Sequence, residues 1–146
     1  MDIVLALKPK WLTLIQTGKK TIECRRQMPA KLNPGDKVYF YSRGKLHGYG
    51  TAYDVHRMQK DDFDELMALI DVFHQDACLS PDEMGEYLWG GTRPGLIFLK
   101  DIHTYKEPKP WDYPPPQNYV YPPDYAPTTK QPLLNLWDTT YKPESK

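Results

Sequence analysis

Residues 18–26 read Gly18-Lys19-Lys20-Thr21-Ile22-Glu23-Cys24-Arg25-Arg26, four cations and one carboxylate in nine positions. The stretch sits where a short helix ends and a strand begins. A strand in a small domain alternates apolar and polar residues. Here only Ile22 and Cys24 are apolar, so one face of the strand is given over to charge. A lone Glu23 among four cations holds neighbouring Arg or Lys groups by charge-assisted hydrogen bonds. The cations left over then form a site for an anion or a polar ring. A solvated, self-neutralising edge strand fits the same charges.

On the N-terminal side, residues 2–8 read as a buried strand. Pro9 suits the first turn of a helix, where a missing N–H costs nothing. Trp11, Leu12, Leu14 and Ile15 form its apolar stripe, and Gly18 supplies the left-handed cap. Burial habits place Trp11 in the core rather than against a ligand.

On the C-terminal side, Asn33-Pro34-Gly35-Asp36 is a turn, because proline presets one dihedral and glycine permits the other. Residues 37–42 alternate as a strand, with Val38 and Phe40 on one face and Tyr39 and Tyr41 on the other. After Arg43-Gly44-Lys45 a second strand over 46–55 completes a hairpin. Gly48 and Gly50 leave one side of that strand nearly bare, which marks a close approach of ligand or backbone, or sharp curvature.

Residues 61–76 form an amphipathic helix, with Phe63, Leu66, Met67, Ile70, Phe73 and His74 on its inner face and Asp62 with Glu65 as a capping box. Ser80-Pro81-Asp82-Glu83 starts another helix that turns Met84, Tyr87 and Leu88 inward and ends near Gly90-Gly91. Residues 95–102 read as the last, largely buried strand. From Tyr105 onward the chain holds 10 of its 15 prolines and 6 of its 11 tyrosines. Proline at this density favours extended chain. The aromatic content, with Tyr113, Tyr119, Tyr121, Tyr125, Leu133, Leu134, Leu136 and Trp137, argues that this arm packs on the domain, since disordered tails are poor in such residues. The organisation expected is a domain over 1–104 and a Pro/Tyr-rich extension over 105–146.

Net charge is zero but unevenly spread. Residues 1–57 hold 11 Lys and Arg against 4 Asp and Glu, residues 58–90 hold 1 against 9, and residues 91–146 hold 7 against 6. A basic face for a phosphate-bearing partner and an acidic segment elsewhere follow from this. The uniformly basic surface of a strong non-specific nucleic-acid binder does not. Cys24 and Cys78 make neither a disulfide framework nor a CxxC pair. No apolar run reaches signal-peptide or membrane-span length, so a cytoplasmic location and no membrane partner are expected. His47, His56, His74 and His103 lack metal-ligand spacing, and neither a phosphate-cradling GxxxxGKS loop nor a GxSxG elbow occurs. No metal or other cofactor is expected.

Taken together, Gly18, Lys20, Glu23 and Arg25 match a signature of glycine, one residue, lysine, two residues, glutamate, one residue and arginine. With the strand into Lys8-Pro9, the following helix, Pro34-Gly35-Asp36 and the glycine-bearing hairpin, residues 2–103 resemble the ASCH (activating-signal-cointegrator homology) domain of the PUA-like superfamily. Pro116-Gln117-Asn118-Tyr119 resembles an extension that follows the domain in some members. The resemblance implies an α+β fold: a small PUA-like β-barrel with flanking helices and the Pro/Tyr-rich arm packed on it. It also implies a cleft beside the signature strand that binds RNA or a modified nucleobase or nucleoside. Lys20, Glu23 and Arg25 would line it, with Arg26, Tyr41 and Gln117 as further ligand contacts. One branch resembles amidohydrolases that remove acyl groups from N4 of cytidine with a lysine, a threonine and a glutamate, and some members are ribonucleases. Lys20 falls on that lysine, Glu23 on the threonine with Thr21 two residues away, and Glu83 or Glu86 on the later glutamate. A hydrolytic reading therefore assigns catalysis to Lys20, Glu23 and Glu83. A third reading makes residues 105–146 a protein-binding arm.

Overall fold

Two long strands carry the sheet. β4 (Lys45–Arg57) and β5 (Gly95–Pro110) run antiparallel, and their register shifts between Leu46 and Gly48, Tyr49 and Thr51, and Ala52 and Asp54. Each irregularity adds twist and bends the pair. In this computed structural model, which describes residues 1–122, the result is a half-barrel of six strands in the order β2-β5-β4-β3-β1-β6. The remaining strands are β1 (Ile3–Ala6), β2 (Ile22–Arg25), β3 (Lys37–Ser42) and β6 (Tyr119–Val120). Among the described residues only β1 and β3 pair as parallel strands, so the sheet is mixed. Three helices among the described residues flank it: α1 (Pro9–Gln16), α2 (Phe63–Phe73) and α3 (Pro81–Trp89).

The bare face of β4 answers to backbone, not to ligand. Gly48 has φ +149°, and a Cβ there would collide with the carbonyl of His103 on β5. Only glycine lets the two strands approach this closely at the bulge. The β3–β4 turn puts Arg43 and Gly44 at φ 51° and 81°, the paired left-handed conformation of a tight hairpin turn.

The core lies on both sides of the sheet. Residues 95–99 are buried throughout: Ile97 and Leu99 face the barrel interior with Ile3, Leu5 and Phe40, while Leu96 and Phe98 face α2 and α3. α3 begins with a complete capping box between Ser80 and Glu83. α2 differs from expectation. It ends at Phe73, its buried residues are Leu66, Leu69 and Ile70, and Phe63 and Met67 stand in solvent. The inner face turned because the facing α3 and β5 meet the Leu66–Ile70 side. Asp62 caps the Glu65 amide, but Glu65 sends its own carboxylate to His56 and the Gln59 amide.

The C-terminal half of β5 is the other departure. The strand does not stop at Ile102 but continues to Pro110, and β6 pairs with β1 beyond it. The 104/105 boundary falls inside β5. Tyr105, Trp111 and Val120 pack on Val4, Tyr39 and Leu46 on the outer face. Tyr113 and Tyr121 also pack against the sheet. Tyr125, Leu133, Leu134, Leu136 and Trp137 lie outside the described residues. No helix among the described residues is long and apolar enough to cross a membrane.

Candidate functional site

The half-barrel leaves a seam between its edges, β2 on one side and the β1–β6 pair on the other. α1 delivers the chain to this seam. At its end Gly18, with φ +81°, donates to the Ile15 carbonyl and Lys19 donates to that of Leu14, the paired bonds of a left-handed helix cap. The chain reverses under Trp11, and the amides of Thr21 and Ile22 fasten to the Asp76 carbonyl. Along β2 the side chains then alternate. Ile22 and Cys24 join the core under α2 and α3, and Glu23 and Arg25 take the other face.

That charged face is closed, not solvated. Lys20 and Glu23 are 3% and 6% exposed, which excludes the solvated-edge reading of these charges. Lys20 Nζ donates to the Ala77 carbonyl at 2.6 Å, stands 3.3 Å from Glu23 Oε1 and lies 4.9 Å from the centre of the Trp11 ring. Glu23 Oε2 accepts from Arg25 Nε at 2.8 Å, with Arg25 Nη2 at 2.7 Å. Arg25 Nη1 donates to Asn118 Oδ1, and Nη2 to the Ala6 carbonyl, each at 2.6 Å. Asn118 completes the chain by donating from Nδ2 to the Gln27 carbonyl at 3.1 Å. A carboxylate held between two cations, each with further partners, offsets the desolvation of the group. Arg25 is therefore a side-chain bridge from β2 to β1 and the β6 approach, joining edges that no backbone ladder joins among the described residues.

A cleft of about 480 Å³ opens over this network. Trp11, Tyr41 and Tyr87 supply aromatic surface, and Lys8, Arg26, Gln27 and Gln117 stand exposed at its rim. The Arg26 guanidinium lies 5.8 Å from the Tyr87 ring centre. Among the described residues four cationic side chains line the cleft against one carboxylate, so it suits an anionic ligand with a flat ring.

Of the residues singled out in the sequence, Lys20, Glu23, Arg25, Arg26, Tyr41 and Gln117 meet around this one cleft. Glu83 does not line it. Its carboxylate accepts from the Ser80 amide, which with the Ser80 hydroxyl bond holds it below its ordinary pKa. Neither Thr21 nor Glu86 lines the cleft; Glu86 lines a separate groove between α2 and α3. Cys24 borders the cleft, but burial pushes its thiol up to about 12, so it stays protonated and poorly nucleophilic. Among the described residues, no group of three His, Cys, Asp or Glu side chains is placed to hold a metal ion. Sequence reasoning missed two participants, Asn118 and the Ala77 carbonyl; Trp11 packs on the core as expected and also lines the cleft. Asn118 adjoins Gln117 in the arm, so the amide-bearing stretch was visible but the working amide was not. Nothing local marks Ala77.

Comparison with known proteins agrees with this architecture. The family model described as the ASCH domain matches residues 5–117. The chain is similar to the crystal structure of ASCH from Zymomonas mobilis, with 18% identity, 97% of this chain and 96% of that chain covered, and a TM-score of 0.74. A serine-to-alanine mutant of that protein superposes at 19% identity, with 97% and 96% coverage and a TM-score of 0.73. A tyrosine-to-phenylalanine mutant does so at 18% identity, with 97% and 99% coverage and a TM-score of 0.73. No match is found among curated proteins.

Proposed function

The chain belongs to the ASCH domain family, and on that premise we propose that it binds single-stranded RNA or a modified nucleobase or nucleoside in the cleft beside β2. The observation that carries this reading is the buried Lys20–Glu23–Arg25 network, roofed by Trp11 and flanked by exposed cations. Unstacked bases are read by stacking on aromatic rings and by hydrogen bonds to their edges. An ammonium carries three N–H donors. Ala77 and Glu23 engage two of those on Lys20, which leaves one for a ring carbonyl. The lone pairs of Glu23 Oε1 suit an exocyclic amine beside it. Lys8 and Arg26 at the rim suit the phosphates of flanking nucleotides, and Arg25, spent on Glu23, Asn118 and Ala6, positions the carboxylate.

Hydrolysis of an N4-acylcytidine or of RNA is the second reading, favoured by the contact of Lys20 with Glu23 inside the cleft. It ranks lower on chemistry. Nucleophilic catalysis needs an activated group aimed into the cleft, whereas Thr21 and Glu83 lie off the cleft, the Cys24 thiol is suppressed, and Lys20 and Glu23 are engaged with each other. Water activation by Glu23 is opposed because both carboxylate oxygens face cations.

Calorimetric titration with a short single-stranded RNA, with cytidine and with N4-acetylcytidine tests the proposal. Saturable binding is expected, and for RNA log K should fall against log salt with a slope of about −0.7 per contacted phosphate. Lys8→Ala and Arg26→Ala should each flatten that slope by about 0.7. Absence of binding by all three ligands overturns the reading. Product formation that Lys20→Ala abolishes, with the fold intact, replaces it with hydrolysis.

A further inference from the structure

We propose that the groove between α2 and α3 docks a basic, amphipathic helical segment of a partner protein. The groove measures about 820 Å³ and is separate from the cleft, sharing only Arg26 with it. Its apolar surface comes from Phe63, Met67 and Trp89, which are 59%, 47% and 43% exposed, above a floor of Leu66 and Ile70. Among the described residues these are three of the six large hydrophobic side chains that stand in solvent. Scattered exposed hydrophobics need no explanation, but a contiguous set rimmed by polar residues marks an interaction site. Phe63 from the start of α2 meets Trp89 from the end of α3 edge to face, with ring centres 5.9 Å apart and an interplanar angle of 88°. The pair lines the groove with a continuous aromatic surface.

The charge on the banks names the occupant. Asp82 and Glu86 line the α3 side directly. On α2, Asp64 and Asp71 stand three and four positions from Met67, the spacing of helix-surface neighbours, and both are exposed. The whole segment 58–90 holds nine acidic residues against Lys60 alone among Lys and Arg. A nucleic-acid strand is repelled by this surface. A helix with apolar residues at i, i+3, i+4 and i+7 and Lys or Arg on its flanks meets both the apolar floor and the acidic banks. Two packed helices offer the groove that a third helix fills by the usual ridge packing. The eleven residues of α2 span about 16 Å, which sets an occupant of about three turns.

The test uses the full chain and a synthetic Lys/Leu amphipathic peptide of about 14 residues, beside a Glu/Leu peptide of the same pattern. Expected are saturable binding of the Lys/Leu peptide, amide chemical-shift changes confined to α2 and α3, and weaker binding in high salt. Two double variants, Phe63→Ser with Met67→Ser and Asp82→Asn with Glu86→Gln, should each lower affinity about ten-fold. All four side chains are exposed, so unchanged circular dichroism is expected alongside. Equal binding of the Glu/Leu peptide overturns the proposal, as does a shift pattern that maps to the cleft. RNA binding weakened by the groove variants assigns the groove to nucleic acid instead. Peptide-free dimerisation abolished by the Phe63 and Met67 substitutions assigns it to a second copy.

Discussion

Arg25 and Asn118, 93 positions apart in the chain, meet through a 2.6 Å hydrogen bond that spans the open seam of the half-barrel. The bond does two things at once. It ties β2 to the segment leading into β6, and it fixes the guanidinium that orients Glu23 beneath the cleft.

Removing this amide tests the seam. Asn118→Ala leaves a part-buried guanidinium N–H and the Gln27 carbonyl without their partner, and a loss of about 1–3 kcal/mol is expected. Urea unfolding checks it. Unchanged stability together with unchanged ligand affinity would mean that the bridge is incidental to both fold and site.

The buried charges give a larger effect. Glu23→Gln leaves Lys20 and Arg25 facing each other without a carboxylate, and removing one member of a buried ion pair costs about 3–5 kcal/mol. Equilibrium unfolding of Glu23→Gln, Lys20→Met and the double variant resolves the coupling. Additive losses would show that the 3.3 Å Lys20–Glu23 contact contributes little.

Truncation after residue 104 is expected to unfold the domain. It deletes Tyr105, Trp111 and Val120, which are 4%, 7% and 9% exposed. Burying side chains of this kind is worth about 1.5–3 kcal/mol each, and a whole domain has only about 5–15 kcal/mol of stability. A cooperative melting transition in the truncated chain would refute this and leave the segment as an accessory.

Acid acts through the α3 cap. Hydrogen bonds from the Ser80 amide and then its hydroxyl lower the pKa of Glu83 from 4.5. A carboxylate lowered on folding stabilises above its unfolded pKa and loses that contribution as pH falls through the folded value. Glu83→Gln should therefore be less stable than the parent at pH 7, and the gap should close as pH drops below 4.5. Melting curves across that window decide it; a gap independent of pH would remove the carboxylate from the account.

Much of the architecture is local and was legible. The Ser80-Pro81-Asp82-Glu83 start of α3, the turn at 33–36, the 37–42 strand and the Gly18 cap each rest on residues within one turn of one another, and all four stand in the structure. The signature residues Lys20, Glu23 and Arg25 were legible as a group for the same reason. The inner face of α2 was not. A helical period defines a stripe, but which side of it is buried depends on the neighbour, and here α3 left Phe63 and Met67 outside. β5 was cut short at 102 because the proline-dense segment from Tyr105 read as a separate extended arm, whereas pairing with Lys45 and Leu46 carries the strand through to Pro110.

By itself, then, the sequence determined most of the α+β elements, the α1 and α3 caps, the turn at 33–36, and the charged strand beside a helix that marks the family. Tertiary structure alone decided that the charges of that strand are buried, and with what they pair. Lys20 finds the Ala77 carbonyl 57 positions away and Arg25 finds Asn118 93 positions away. Charge in a sequence favours solvent, and only a partner brought by distant chain offsets the desolvation that burial imposes.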